Sequence, residues 1–422
     1  MNRQELDECH DALNTKHENF KLNALSLDLT RGKPSTEQLN LSNILDGAVN
    51  GNYTSSEGID TRNYGNIEGL PGMRSFGAEL LGVKKDGVIV GGNSSLSLMY
   101  LTLLFAWQFG LSGKDSAWKN KGDVKFLCPV PGYDRHFSIC EEFGIEMLTV
   151  PMNENGPDMD QVECLIKNDQ SIQGMWCVPK YSNPTGCVYS DNTVERLAKL
   201  GKISSPGFRI FYDNAYAVHD FHQNSAELLN IMDCCKKQHT ENSVLQFTST
   251  SKITFSGSGI SFLAASSENI KAIQQHLAIF CIGPDKVNQL RHLNILKDHH
   301  NLKKHMKKHA ELLEPKFSCV LKHLKINFGN SDIATWTSPK GGYFISLDTR
   351  NGLAQEVVKL SAEAGVKLTA AGSTFPYGID PENKNIRIAP SFPSLGEIDQ
   401  AMEVFCNSVK LASVKQEINK KA

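Results

Sequence analysis

The sequence lacks the features that mark exported, membrane-spanning or nucleic-acid-binding proteins. Residues 1–8 contain no apolar core, so we expect no secretory signal. The longest apolar run, residues 96–111, is short for a membrane span and includes Gln108 and Gly110, which favours a buried helix. The 44 Lys and Arg residues nearly balance the 46 Asp and Glu residues. The resulting net charge of −2 predicts no binding to nucleic acid or to an anionic membrane.

Cysteine is present but forms no recognisable pattern. The eleven cysteines include no CxxC pair, and an odd number cannot all pair in disulfides within one chain. Free thiols are typical of a reducing compartment, so we expect a cytoplasmic protein. The chain is 40% hydrophobic and 21% charged, as soluble globular proteins are, and its 422 residues exceed the usual size of one domain.

Short apolar runs alternate with helical stretches between residues 86 and 266. This alternation is typical of an α/β fold in which helical crossovers connect a mainly parallel sheet. The candidate strands are residues 88–90, 124–128, 175–178, 208–212, 244–247 and 260–264.

The last hundred residues are predicted to form a smaller α+β unit. Its strands are expected at residues 343–347 and 386–389, and its closing helix at residues 395–412. A long basic helix over residues 287–324 precedes these elements, with Pro315 as a kink or a break.

Three divisions of the chain follow from these patterns. We predict a large domain over residues 52–305 and a small C-terminal domain over residues 306–422. The first fifty residues lack a core of their own, so we expect residues 1–51 to pack on the small domain. The basic residues 415–422 are expected to be frayed and solvated.

Lys252 stands beyond the carboxyl end of the strand predicted at residues 244–247. Four small hydroxyl residues, 248–251, separate the strand from the lysine. Open α/β sheets bind their ligands just beyond the carboxyl ends of their strands. A partly desolvated lysine at such a place can lower its pKa and form a Schiff base with a carbonyl compound. An ordinary solvated lysine is the competing interpretation.

Other functional groups follow the remaining strands. Residues 91–95, Gly-Gly-Asn-Ser-Ser, begin a helix at a place that suits a phosphate, or they form a plain capped turn. Tyr133 follows a Pro-Gly turn and could stack on a planar ligand. Asn183 lies in a tight Asn-Pro-Thr-Gly turn. Asp213 ends an apolar strand, where it either meets a cation or donor or caps the next helix. Together these groups would surround one crevice.

In this order the motifs resemble those of the pyridoxal 5′-phosphate (PLP)-dependent aminotransferases of fold type I. The motifs are Asn183-Pro184-Thr185-Gly186, Asp213-Asn214-Ala215-Tyr216 and Ser249-Thr250-Ser251-Lys252. Residues 30–35 and 386–393 make the chain similar to the aspartate-aminotransferase-like subgroup, and the resemblance covers nearly the full length. It implies a mainly parallel, seven-stranded sheet in the large domain and a smaller α+β domain.

The resemblance also implies roles toward PLP. Lys252 would hold the cofactor through a Schiff base and move the substrate proton, and Asp213 would pair with the ring nitrogen. Asn183 and Tyr216 would hydrogen-bond the phenolic oxygen, and Tyr133 would stack on the ring. The phosphate would be held by hydroxyl groups, those of Ser94, Ser95 and Ser249.

Further implied roles concern the substrate and a second subunit. Arg387 would clamp the α-carboxylate in a bidentate fork, with backbone at Gly32 and the side chain of Asn183 also at the substrate. Tyr64 would reach the phosphate of the neighbouring subunit, which implies a homodimer with shared active sites. No metal is expected.

The implied activity is the transfer of an amino group by a ping-pong mechanism. The donor would be an α-amino acid, aspartate or another acidic or neutral one, and the acceptor a 2-oxo acid such as 2-oxoglutarate. A PLP-dependent lyase or decarboxylase is an alternative, because ring-binding residues do not fix which bond breaks. A non-catalytic PLP-binding sensor, as in some bacterial regulators, is another; we expect no room before Thr30 for the DNA-binding domain such regulators carry.

The sequence departs from the family pattern at Ile260. The family usually has an arginine at this position, eight residues after the lysine, on the phosphate. Hydroxyl and backbone donors of residues 255–261 could replace it. A distal arginine for a side-chain carboxylate is not evident either, and the candidates are Arg31, Arg62 and Lys180.

Four histidines lie on the predicted basic helix, at positions 299, 300, 305 and 309. His305 and His309 have the spacing of metal ligands, but no HExxH motif accompanies them. We therefore expect a solvated helix face.

Overall fold

The computed structural model of the protein describes residues 2–222 and 227–421. Its strands are β1 Leu27–Asp28, β2 Val88–Val90, β3 Lys125–Val130, β4 Glu146–Asn153, β5 Gly156–Pro157, β6 Ile172–Cys177, β7 Arg209–Asp213, β8 Val244–Ser249, β9 Ser261–Ala265, β10 Ala334–Trp336, β11 Ile345–Thr349, β12 Val366–Lys367 and β13 Asn385–Ile388. Its α-helices are α1 Arg3–Leu22, α2 Thr36–Asn40, α3 Pro71–Leu81, α4 Ser95–Gln108, α5 Asp134–Glu142, α6 Met159–Asn168, α7 Asp191–Lys199, α8 Ile231–Gln238, α9 Ser267–Phe280, α10 Lys286–Leu296, α11 His299–Phe328, α12 Ala354–Glu363 and α13 Leu395–Lys420.

The central sheet has the strand order β2-β9-β8-β7-β6-β3-β4-β5. The pairs from β8 through β7, β6 and β3 to β4 are parallel, whereas β9 runs antiparallel to β2 and β8. The predicted mainly parallel sheet is confirmed. It has eight strands in the described chain rather than seven, because the two-residue β5 adds an antiparallel edge to β4.

Helices cover both faces of this sheet, because successive side chains of a strand point to opposite sides. On β7, Phe211 packs in one apolar layer, and Ile210 and Tyr212 pack in the layer on the other face. The strands are buried along their whole length in β6, β7 and β8. Such strands read as continuous apolar runs, which is why the sequence predicted them.

The C-terminal part forms a second unit around the antiparallel sheet β10-β11-β13. Helices α11, α12 and α13 pack against it in one apolar cluster. The N-terminal segment contacts this unit: α1 lies along α13, and β1 pairs with β12. The predicted domain boundary at residues 305 and 306 falls inside the continuous helix α11.

The single basic helix predicted over residues 287–324 is wrong, because the structure has two helices there. The chain breaks at Lys297, which has a φ of +55°, and Asp298 then caps α11 by accepting a hydrogen bond from the Asn301 amide at 2.8 Å. Pro315 lies inside α11 without ending it. The position of the break is therefore set by the capping aspartate and not by the proline.

Two other sequence-based expectations are corrected. His309 is 1% exposed and His305 is half-buried, so a solvated helix face is wrong for both. The tail beyond Lys415 is not frayed up to Lys420, because α13 continues to that residue and Gln416 donates to the Asn351 carbonyl at 2.8 Å. Ala422, the end of the predicted tail, lies outside the described residues.

No helix within the described part of the chain is both long and apolar enough to cross a bilayer. The apolar run at residues 96–111 forms α4, which lies against the central sheet. All eleven cysteines are free thiols in the structure.

Candidate active site

A cavity of about 550 Å³ lies at the carboxyl ends of the parallel strands, between the two units. The sequence analysis predicted eleven site residues, and ten of them line this cavity. They are Gly32, Ser94, Ser95, Tyr133, Asn183, Asp213, Tyr216, Ser249, Lys252 and Arg387. Tyr64 is the exception: it is 81% exposed and is not part of the cavity wall.

Lys252 follows β8 on a tight turn. The turn is closed by hydrogen bonds from the Ile253 and Thr254 amides to the Thr250 carbonyl, both at 2.8 Å. The Lys252 Nζ atom lies 5.0 Å from the centre of the Tyr216 ring. Burial lowers the pKa of Lys252 below its ordinary value, although attraction to Asp213 opposes this shift. The amine is thus more readily deprotonated than a surface lysine, as a nucleophile or general base requires.

Asp213 ends β7 and is 3% exposed. Its Oδ2 atom lies 3.2 Å from Nε2 of His136, whose ring stacks on Trp176 at a centroid distance of 4.2 Å. Its Oδ1 atom is buried and has no hydrogen-bond partner among the described residues. A buried carboxylate oxygen is costly unless a donor or cation meets it, so this atom is suited to bind a ligand N–H group.

Three side chains frame the cavity between Lys252 and Arg387. Asn183 is 4% exposed, and its Oδ1 accepts a hydrogen bond from Nη1 of Arg387 at 3.3 Å. Burial raises the pKa of Tyr216 well above its ordinary value, so its hydroxyl keeps its proton. Burial likewise raises the pKa of Tyr133, which lies at the start of α5. All three are therefore neutral groups.

Hydroxyl groups crowd the end of the cavity near α4. Ser94 caps this helix by accepting a hydrogen bond from the Leu96 amide at 3.2 Å. Ser249 donates to Ser251 at 3.0 Å, and Ser251 donates to the Asn93 carbonyl, which joins this loop to the helix start. Serine hydroxyls and the amino end of a helix form a suitable environment for a phosphate.

Ile260 does not line this hydroxyl-rich end of the cavity. It is 2% exposed and packs in the apolar cluster beneath the sheet, and its amide donates to Thr250 Oγ1 at 2.9 Å. The loop before it passes close to Ser251: a Cβ atom on Gly259 would lie 3.0 Å from the Ser251 Cα. The chain therefore places no cation at this position, and backbone packing takes its place.

Arg387 lies on β13 and is 5% exposed. Its Nη1 atom donates to Asp134 Oδ1 at 3.1 Å, and its Nη2 atom donates to Thr369 Oγ1 at 3.4 Å. The guanidinium lies 5.0 Å from the centre of the Phe344 ring, and its Nε atom has no partner among the described residues. A nearly buried guanidinium facing a cavity is suited to a carboxylate, because it offers paired N–H groups in one plane.

Gly32 is required for the approach of its backbone to the cavity. A Cβ atom at this position would lie 2.4 Å from Cζ of Phe344, and the aromatic ring would have to move. The glycine thus leaves the backbone of residues 30–33 at the cavity wall, next to the ring that packs on Arg387.

The structure separates the candidates for a distal carboxylate site. Lys180 is buried against Asp220 at 2.8 Å, and Arg62 pairs with Asp60 at 2.8 Å, and neither lines the cavity. Arg31 does line it. So does Arg135, which the sequence analysis missed.

Sequence analysis also missed Asp134 and His136. Both lie on the first turn of α5, directly after Tyr133, so their side chains are set by the start of the helix and not by the strand end. The Pro-Gly turn before Tyr133 is the signal that could have located this helix start.

Comparisons with known proteins show which family the whole chain resembles. A sequence profile described as aspartate amino-transferase matches residues 1–421. The chain is 44% identical over 411 residues to the aspartate aminotransferase of Corynebacterium glutamicum, across 97% of this chain and 95% of that protein. A crystal structure of an aspartate transaminase from the same organism matches with a TM-score of 0.94 at 43% identity, over 99% of this chain and 98% of the other.

A more distant structure shares the fold. This is LysN, the α-aminoadipate aminotransferase of Thermus thermophilus, complexed with N-(5′-phosphopyridoxyl)-L-leucine. It matches with a TM-score of 0.73 at 20% identity and covers 96% of each chain.

The fold and the relatives together define an aminotransferase of fold type I. The chain belongs to the aspartate amino-transferase family. The predictions of the fold class and of an enzyme with aminotransferase activity are confirmed. These relatives do not favour the lyase, decarboxylase or sensor alternatives. The family implies PLP as the cofactor.

Proposed function

We propose that this protein uses PLP to transfer the amino group of an acidic amino acid, aspartate first, to a 2-oxo acid such as 2-oxoglutarate. The observation that carries the proposal is that one cavity holds both the desolvated Lys252 amine and the unpartnered Oδ1 of Asp213. The 44% identity to an aspartate aminotransferase over nearly the whole chain supports the choice of substrate.

The residues present fit PLP. The unpartnered Asp213 oxygen suits a protonated ring nitrogen. The hydroxyls of Ser94 and Ser95 at the start of α4, and of Ser249 at the end of β8, suit the phosphate. Tyr133 supplies an aromatic face at the cavity wall. Asn183 and Tyr216 would hydrogen-bond the phenolic oxygen. When bound, PLP would supply an electron sink that makes the substrate α-proton acidic.

The protein's own groups would perform the remaining work. The Lys252 amine, with its lowered pKa, removes a proton from the substrate α-carbon and later returns one, as general base and then acid. The Asp213 carboxylate would hold a proton on the ligand nitrogen, while His136 contacts its other oxygen at 3.2 Å. Arg387 binds the α-carboxylate and so orients the α-carbon toward Lys252.

We also propose a cytoplasmic homodimer. Tyr64 is 81% exposed and lies outside its own cavity, which is the placement expected of a residue that completes the neighbouring subunit's phosphate site. The free cysteines support a reducing compartment.

The test of this function is a product assay on the purified protein with PLP and 2-oxoglutarate, across a panel of amino donors. We expect oxaloacetate from aspartate in an amount that matches the glutamate formed, and ping-pong kinetics. Ammonia or carbon dioxide as the main product would overturn the assignment.

Replacement of Arg387 by lysine should raise the KM for the amino donor. The variant keeps the positive charge but loses the fork that binds both carboxylate oxygens, a loss of roughly 1.5–3 kcal/mol, or about 10- to 150-fold in kcat/KM. Steady-state kinetics with aspartate give this value. Arg350→Lys is the matched control, since Arg350 pairs with Asp332 and Glu417 away from the cavity. An unchanged KM would remove Arg387 from carboxylate binding.

The preference for acidic donors should depend on Arg31 or Arg135, the two arginines at the cavity wall besides Arg387 in the described chain. Replacing the responsible arginine by glutamine should raise the KM for aspartate by about tenfold and leave the KM for alanine within about twofold. Arg196→Gln, which alters a distant ion-pair cluster, is the control. If both single variants and the double variant keep the preference, the distal carboxylate is bound elsewhere.

A further inference from the structure

A hydrogen-bond network contacts two successive main-chain carbonyls, those of Lys252 and Ile253. The Lys252 carbonyl accepts from His219 Nε2 at 3.3 Å and from the Tyr343 hydroxyl at 3.4 Å. The next carbonyl, of Ile253, accepts from His305 Nε2 at 2.7 Å. None of the three donors lines the cavity. These donors therefore contact the main chain of Lys252 and Ile253 and do not form part of the cavity wall.

Gln38 organises the donors. Its Oε1 atom accepts a hydrogen bond from the Ser35 amide at 3.1 Å, which fixes the orientation of the amide group. Its Nε2 atom then donates to the Tyr343 hydroxyl at 3.0 Å and to His309 Nδ1 at 3.1 Å. Because the Tyr343 oxygen accepts from Gln38, its own proton is available to the Lys252 carbonyl.

The same reasoning fixes the proton on His309. Its Nδ1 atom is an acceptor, so a neutral ring carries its proton on Nε2. This proton is directed to the Ile253 carbonyl, because His305 Nε2, 3.1 Å away, is itself a donor to that carbonyl. Burial lowers the pKa of His309 and of His219 to about 3 and also lowers that of His305. A histidine with a lowered pKa loses its proton below pH 7, so all three rings are neutral near pH 7. The network can hold two carbonyls without adding a positive charge beside the amine.

The members of the network come from distant parts of the chain. Gln38 is fully buried in α2, a few residues after the 30–33 stretch at the cavity wall. Tyr343 is also fully buried and precedes Phe344, the residue that packs on Gly32 and Arg387. His219, which follows β7, and the two histidines of α11 complete the set. The carboxylate side of the cavity is thereby connected to the main chain of Lys252.

We propose that Gln38, Tyr343, His219, His305 and His309 are positioning residues that fix the Lys252 amine relative to the carboxylate-binding side of the cavity. The amine reaches the cavity from the main chain, so a shift of this backbone moves the reacting atom. This inference rests on the proposed role of Lys252.

Tyr343→Phe is the sharpest test, because it removes one hydroxyl and keeps the ring. We expect the rate at which the PLP-free protein captures PLP covalently, and kcat, each to fall about fivefold, the equivalent of one hydrogen bond of about 1 kcal/mol. The KM for the amino donor should stay within about twofold. Gln38→Leu, which removes both donors, should give a larger fall in the same two rates. Capture is followed by stopped-flow absorbance.

The matched control is Tyr212→Phe, a buried tyrosine whose hydroxyl has no partner among the described residues and packs on the far face of β7. It should capture PLP and turn over as the wild type does. Wild-type capture and kcat in both Tyr343→Phe and Gln38→Leu would overturn the inference, and so would a change in KM alone or an equal fall in Tyr212→Phe. Covalent capture that survives in Lys252→Ala would instead refute the proposed function itself.

Discussion

Lys252→Ala should lose transamination by on the order of 10⁴-fold, because no other amine in the cavity can move the substrate proton. Among the cations that line it, Arg31, Arg135 and Arg387 carry guanidinium groups rather than amines, and the Lys33 amine lies 3.7 Å from the centre of the Phe392 ring. Lys252→Arg should be equally inactive, since it restores charge but not a base. Initial rates with aspartate and 2-oxoglutarate measure the loss.

The control for this prediction is Lys121→Ala. Burial lowers the pKa of Lys121 as it does that of Lys252, but Lys121 bonds to Gln173 at 3.1 Å, far from the cavity. It should keep wild-type kcat. The cofactor-free Lys252→Ala protein should unfold at a temperature no lower than the wild type, because the change removes a desolvated amine. Residual activity within tenfold of wild type would end the proposed role.

Asp213→Asn should lower kcat by about 10²- to 10³-fold while the protein still binds PLP at Lys252. The amide has the shape of the carboxylate but lacks the charge that, in the proposed function, would hold a proton on the ring nitrogen. His136 Nε2, at 3.2 Å, can still bond to the amide oxygen, so the fold around β7 should persist. Single-turnover kinetics with aspartate separate this loss from any weakening of cofactor binding.

His136→Asn is the companion variant for Asp213. It removes the partner of Oδ2 but leaves the charge, so we expect a smaller fall in kcat than for Asp213→Asn. A wild-type kcat in Asp213→Asn would show that the carboxylate does not act on the cofactor nitrogen. Such a result would leave the buried, unpartnered Oδ1 without a function.

The strand ends were predictable from the sequence for a physical reason. Asp213 ends one strand and Lys252 follows another. Both strands are buried on both faces, and such strands stand out as apolar runs bounded by polar residues. The parallel arrangement then brings all the strand ends to one edge. The strand ends alone thus predicted that groups such as Asp213 and Lys252 meet at one crevice, whereas Gly32 and Arg387 were implied only by the family resemblance. Ten of the eleven predicted residues line one cavity.

What the sequence could not supply depends on contacts between distant segments. His305 and His309 looked like part of a solvated basic face, because their neighbours on α11 are lysines. Their burial comes from the Ile253 carbonyl and from Gln38, which lies 271 residues from His309. The sequence did not identify Asp134 as a site residue either, because its partner Arg387 is 253 residues away.

Local sequence signals also gave a wrong prediction where two of them compete for one helix boundary. Pro315 predicts a kink or a break in the basic helix, but the capping hydrogen bond of Asp298 determines where α11 begins. At Ile260, the family pattern raised the question of a missing phosphate ligand. In the structure Ile260 packs in the core, and the hydroxyls of Ser249 and Ser251 lie beside the start of α4.

Borohydride reduction of the PLP-loaded protein, followed by proteolysis and mass spectrometry of the labelled peptide, identifies the amine that forms the Schiff base. We expect a single phosphopyridoxyl label on Lys252, in the peptide that follows β8. A label on another lysine, or a protein that takes up no PLP, would contradict it.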